Sequence, residues 1–277
     1  MTLRFDHAVV CVVNLEEAIE DFRGLGFNPI TGGTHAGGKT HNALIVFRDG
    51  TYLELLAPTS PDLLTDLDPA DRSSFLFLFA EGEGFRGYAL VSDDLEADTI
   101  AMQARGISVE LQPPNGRARP DGVQLRWRSA YLNEQSGTMT PFFLQDLTPR
   151  NLRVPDEPTI TTHPNGASGI WEVTIQMSNA VGDFHAQLFG VEGQPAFFDP
   201  PIVRQRWTHY DLAGGTRMMV CTETDGSTNQ AITERQIISL GISTDQVEGG
   251  TLESHRANLL LTPLPLVEQI TRRPRHT

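Results

Sequence analysis

The chain has 277 residues, 39 % of them hydrophobic and 20 % charged, with a formal net charge of −14. Such a length and composition describe one large or two ordinary globular domains rather than a disordered chain. The negative balance argues against nucleic acid and anionic membrane surfaces as partners, although local arginines could still bind a small anionic substrate.

The N-terminus shows no basic region followed by an apolar core, and no apolar run approaches membrane-spanning length, so a cytoplasmic, soluble protein is the expectation. Cys11 and Cys221 are far apart and lack disulfide-framework or metal-site spacing, so they read as buried thiols.

In chain order, FDHAVVCVV reads as a strand, with Phe5, His7 and Val9 on one face and Asp6, Ala8 and Val10 on the other. Leu15, Ala18, Ile19, Phe22 and Leu25 follow the three-four spacing of a helix with one buried face. Asn14 is its N-cap, Glu17 completes a capping box, and Gly24 and Gly26 end it. A glycine-rich loop (TGGTHAGGKT) follows, then the strands HNALIVF and TYLELLAP, joined by the hairpin signal Asp49-Gly50. Tyr52, Glu54 and Leu56 share a face of the last strand, so His7 and Glu54 can point into one cup if the strands share a curved sheet.

After a Pro/Asp/Thr-rich stretch and the apolar run FLFLFAEGEGF, the pattern restarts. GYALVSDDLEADTIAMQARGI repeats strand, acidic cap and glycine-terminated helix, with Leu95 in the place of Leu15. ISVELQPP, VQLRWRSAYL and TPFFLQDL are the strands that follow. Residues 148–168 read as a connection. A third unit begins near Gly169 (GIWEVTIQMSN, VGDFHAQLFG, RQRWTHYDLAGG, TRMMVCTE), and ERQIISLGISTD opens a truncated fourth. The expected organisation is therefore a domain of two βαβββ units over 1–147, a linker over 148–168, and a second domain over 169–277. An incomplete last unit leaves strand edges to be covered within the chain or across a homodimer.

The repeated β-α-β-β-β order, together with DHAVVCVVNLEEAIEDFRGLGF, GGTHAGGKTHNALIVFRDGTYLELLAP and RARPDGVQLRWR followed by PFF, resembles the vicinal oxygen chelate superfamily of glyoxalase I, extradiol dioxygenases and fosfomycin-resistance proteins. Within it the chain looks like a glyoxalase-like domain protein. The resemblance implies an α+β fold of curved mixed sheets, the glyoxalase/bleomycin-resistance/dihydroxybiphenyl dioxygenase type. It also implies a divalent metal (manganese, iron, nickel or zinc) held by the first and last strands of each unit. Carried over, the ligands fall on His7, Glu54 and, with PFFLQ set on YLEL, Gln145, while the second unit's first-strand position falls on Gly87 or Tyr88. Glu54 would serve as ligand or base, and the reaction would be that of a lyase, isomerase or dioxygenase on a small oxygen-rich substrate.

Several residues have two readings. His35 and Asn42, beside the glycine-rich loop, either line the pocket or cap strand ends. Arg126 alternates with Leu125 and Trp127 on one strand. It either faces the cup and favours an anionic group there, with Trp127 and Tyr52 as walls, or it is solvated. The missing donor at Gly87 and the neutral Gln145 also leave room for a metal-free binding or sequestering protein, and a cup filled by side chains would suit a structural module.

Overall fold

The computed structural model describes residues 3–35, 37–68, 74–118, 122–133, 141–177, 184–196, 205–223 and 236–271. The first unit is β1 (Arg4–Cys11), α1 (Leu15–Gly24), β2 (Ile30–Thr34), β3 (Thr40–Val46) and β4 (Tyr52–Pro58). The second is β5 (Gly84–Val91), α2 (Leu95–Ala104), β6 (Val109–Leu111), β7 (Asn115–Ala118), β8 (Gln124–Leu132) and β9 (Pro141–Asp146). A connection carrying the short helix α3 (Pro158–Thr161) leads to β10 (Ala167–Met177), α4 (Phe184–Phe189), β11 (Gln194–Pro195), β12 (Gln205–Asp211) and β13 (Arg217–Glu223). The fourth unit supplies β14 (Gln236–Thr244), β15 (Gly250–Ser254) and β16 (Ala257–Pro263), and α5 (Leu264–Thr271) follows.

The architecture is α+β, with two curved, open, mixed sheets. The first runs β2-β3-β4-β1-β5-β9-β8-β6, with β7 also on β8; the second runs β11-β12-β13-β10-β14-β16-β15. In every unit the first strand pairs in parallel with the last, and the two first strands of each sheet meet antiparallel at its centre. The first and third units thus follow the expected βαβββ repeat, and the second does so with its first strand after the helix split into β6 and β7, which pair with successive parts of β8.

α1 forms as its sequence dictates. The Asn14 side chain accepts from the Glu17 amide at 3.2 Å, and Leu15, Ala18 and Phe22 are buried. A fully buried Leu or Phe contributes roughly 1.5–3 kcal/mol. These residues join Ala8, Val10, Leu53 and Leu55 in a core that continues into Ile170, Val173 and Ile175 of the second sheet. One face of each sheet is therefore sealed, and the other is free to form a cup.

The phase of β1 differs from simple alternation. Phe5 opposes Leu90 and His7 opposes Ala89, so Asp6 is an extra residue, a β-bulge. Phe5 consequently joins Ala8 and Val10 in the core, while His7 and Val9 take the cup face. Over that face lie residues 59–68 and 74–82. Their 3₁₀ turns, Pro61–Leu64 and Phe75–Glu81, pack Leu76, Leu78 and Phe79 onto Val9, Cys11 and Leu56.

Candidate functional site

The cup of the first sheet gathers five of the residues singled out from sequence: His7, His35, Asn42, Tyr52 and Glu54. His7 Nε2 lies 3.3 Å from Glu54 Oε2, and His35 Nε2 lies 3.4 Å from Glu54 Oε1. The Asn42 amide donates to Glu54 Oε1 at 2.6 Å. Its own oxygen accepts from the Gly33 amide at 2.9 Å. A Cβ at Gly32 would overlap Asn42 Oδ1, so a glycine is required for this approach. The Tyr52 ring stacks on His7 with centroids 4.4 Å apart, and Phe142 meets His7 edge-on at 5.4 Å. His7 and Glu54 are buried, while 22 % of the His35 side chain is exposed, so the mouth of the site lies at His35.

The bulge at Asp6 brings its carboxylate to the same imidazole. His7 Nδ1 and Asp6 Oδ2 are 2.7 Å apart. Asp6 also receives Arg150 and, at 3.2 and 3.3 Å, Arg153. Arg153 donates to the Tyr52 hydroxyl at 2.8 Å and to both oxygens of Asp146 at 2.7 and 2.9 Å. Burial works against charge on Asp6, but Arg153, His7 and Arg150 outweigh it and hold the carboxyl well below its ordinary range. Burial likewise opposes ionised Glu54, and His35 and His7 outweigh it, again with a strong downward shift. For His7 burial is overcome by Asp6 and Glu54, and the pKa rises. The result is an imidazole held between two carboxylates that favour its protonated form.

One atom in this cluster is left over. His7 Nε2 is buried and makes no hydrogen bond, because its contact with Glu54 has the distance of an ion pair without the alignment.

Three expected site residues lie elsewhere or at the margin. Gln145 is committed to the start of α2, donating to the Asp93 carbonyl at 2.8 Å and accepting from the Leu95 amide at 3.4 Å. The alignment that made it a ligand is out of register. Leu15 and Leu95 open matching helices, so His7 matches Gly87 and Val9 matches Ala89. Glu54 pairs with Val9 and Phe142 with Ala89, so Phe142 stands where Glu54 does. Gln145 sits three residues further on, roughly 10 Å along the strand. Arg126 is exposed and shares a strand face with Ala130 and Leu132, which enter the core, so it points away from the cup. Trp127 lies on the opposite, cup-side face with Tyr131, whose ring stacks on Phe142 at 6.2 Å.

The metal that the resemblance implies can be tested against these donors. The four strand positions are His7, Glu54, Gly87 and Phe142, and two of them offer nothing to a metal. Among the described residues no group of three or more His, Cys, Asp and Glu side chains is arranged to hold a metal ion. The donor set does not fit a strand-held metal centre of that kind.

Sequence reasoning missed Asp6, Asp146, Arg150 and Arg153. A charged residue inside the apolar run FDHAVVCVV was one available signal, since a buried carboxylate needs a cation.

A family model described as a glyoxalase-like domain matches residues 5–189. The chain belongs to the glyoxalase-like domain family and, through it, to the vicinal oxygen chelate superfamily. No curated protein matches the sequence. Among solved structures it is similar to a hypothetical protein from Staphylococcus aureus, at 17 % identity with a TM-score of 0.71, covering 95 % of this chain and 100 % of that one. It also resembles a mutant of 4-hydroxymandelate synthase from Streptomyces coelicolor, at 15 % identity with a TM-score of 0.57, covering 89 % of this chain and 72 % of that one. At these identities the likeness is one of fold. No helix among the described residues is long and apolar enough to cross a membrane.

Proposed function

We propose that this protein is an enzyme acting on a small oxygen-rich molecule, in which Glu54 removes a proton next to a carbonyl and the His7 imidazolium stabilises the enolate oxygen. The observation that carries this reading is the buried His7 Nε2, which makes no hydrogen bond, is oriented through Nδ1 by Asp6, and stands 3.3 Å from a carboxylate. A donor held in place in a dry site is worth most where charge develops during reaction. Glu54, kept ionised by His35 and His7, takes the carbon-bound proton, and the C–H electron pair moves onto the carbonyl oxygen. Return of the proton to the same or a neighbouring carbon gives isomerase chemistry, and loss of a β-leaving group gives lyase chemistry. Tyr52, Phe142 and Phe75 supply the walls around the two groups. A Lewis-acid or dioxygenase version of the reaction would need donors that Gly87 and Phe142 do not provide.

The test is proton exchange in D2O, followed by NMR, with a panel of 2-oxo acids, α-hydroxyketones and thioesters. Exchange that resists chelators and is lost in Glu54→Gln and His7→Gln is the expected result. Absence of exchange across the panel, or exchange that depends on added metal, would overturn the proposal. A second reading, a sequestering protein, is favoured by the cover that packs Leu76, Leu78 and Phe79 over the cup. It predicts tight binding of such molecules without exchange.

A further inference from the structure

We propose that the concave face of the second sheet is a second small-molecule site, one that takes a neutral, hydroxyl-bearing ring such as a monosaccharide or cyclitol. The face is defined by what the core leaves over. Val173 and Ile175 enter the core, so Glu172, Thr174 and Gln176 point the other way. Met218 and Val220 do the same on β13, which turns Arg217 and Met219 to the concave side. Tyr210 does so on β12, leaving Trp207 and His209 there.

β10 repeats the bulge of β1. Ile170 opposes Ile242 and Glu172 opposes Gly241, so Trp171 is the extra residue. Its indole lies over Gly241, where an added Cβ would stand 2.7 Å from Nε1. The flanking Leu240 and Ile242 face the core, so the N–H sits on the concave side. Trp171 is 8 % exposed, and its Nε1 has no hydrogen-bond partner. A buried donor without an acceptor is the feature a ligand oxygen would complete.

Beside it, the Glu172 carboxyl accepts from Thr174 Oγ1 at 3.4 Å. Among the described residues, the cation facing it is Arg217, which is bonded to Asp211 at 2.8 Å. Burial pushes the Glu172 carboxyl up and the His209 imidazole down, toward uncharged forms in both cases. A cup with a free donor, a carboxyl, a hydroxyl and an imidazole offers the mix of donors and acceptors that the hydroxyl groups of a ring match. The apolar faces of Trp171 and Trp207 suit the C–H face of a ring.

The experiment is isothermal titration calorimetry of the full chain with D-glucose, N-acetyl-D-glucosamine and myo-inositol, up to tens of millimolar, with circular dichroism as the check on folding. At least one of the three is expected to bind saturably. Trp171→Phe, which keeps an aromatic ring but removes the N–H together with the rest of the five-membered ring, should weaken binding at least tenfold, about the worth of one such bond or more. Glu172→Ala should weaken it at least as much, and Glu54→Gln should leave it unchanged. No saturable binding of any of the three, or parental affinity in Trp171→Phe, would overturn the proposal. Loss of binding in Glu54→Gln would do so too, by placing the ligand in the first cup. The residues are distinct from those of the proton-transfer site, so either proposal can fail alone.

Discussion

β1 and β10 carry the same bulge at the same place, opposite Ala89 and Gly241 respectively, yet the two cups beneath them differ in kind. Matched through their parallel partners, Asp6-His7 corresponds to Trp171-Glu172, Tyr52 to Arg217, and Glu54 to Met219. The backbone therefore fixes where side chains point, and the partners fix what they can do. In the first cup two carboxylates stay ionised because Arg150, Arg153, His7 and His35 surround them. The arginines come from the connection between the sheets, not from the repeat. In the second cup burial outweighs Thr174 and Arg217 and shifts the carboxyl upward, and the indole nitrogen is unpaired. A single scaffold thus gives a pocket of paired charges in one copy and a polar pocket with an unpaired donor in the other.

The largest effect that would break this contrast is on rate. Glu54→Gln keeps the shape and the Asn42 contact but removes the base, and proton exchange should fall about 100- to 10,000-fold. The next is on stability. Asp6→Asn leaves Arg153, a largely buried cation, with Asp146 alone, and should cost about 3 kcal/mol in urea unfolding.

The pH profile sharpens the contrast through its signs. Asp6 and Glu54 have folded pKa values below their ordinary 3.8 and 4.5, so their stabilisation is complete above those values and lost as pH falls through the folded ones. His7 is raised above its ordinary 6.5, so its stabilisation is complete below that value and lost as pH rises through the folded one. Thermal unfolding followed from about pH 2 to 9 should therefore show the first cup at its most stable between about 4.5 and 6.5. Asp6→Asn should flatten the acid limb.

How far the sequence carries this picture depends on whether the signal is local. α1 with its Asn14 cap, the Asp49-Gly50 turn, and the joint placement of His7 with Glu54 all follow from spacing within one unit. The bulge at Asp6 does not, because it is defined against β5, and without it Phe5 is assigned to the wrong face. Gln145 fails for a related reason: its match to Glu54 rested on counting along PFFLQ, whereas the register against β5 selects Phe142. Arg126 and Arg128 look alike as an alternating pair, and only packing shows that Arg128 turns to Glu96 at 3.3 Å on α2, away from the cup. Arg150 and Arg153 lie in a stretch without periodicity, where nothing short of the fold links them to Asp6.

The smallest predicted effect concerns the second cup. Glu172 is the counterpart of His7, but its shift has the opposite sign to that of Glu54. With a folded pKa above the ordinary 4.5, the folded state binds more protons than the unfolded one, so stability falls as pH rises from 4.5 through the folded value. Glu172→Gln removes that slope while keeping the Thr174 contact available. At neutral pH it should therefore be neutral or stabilising, by no more than about 1 kcal/mol, in contrast to the loss expected at Asp6. Urea unfolding at pH 5 and pH 7.5 would check both parts. A clear loss of stability at pH 7.5 would mean that Glu172 has an ionised role of its own, and the two cups would then share the same electrostatic logic.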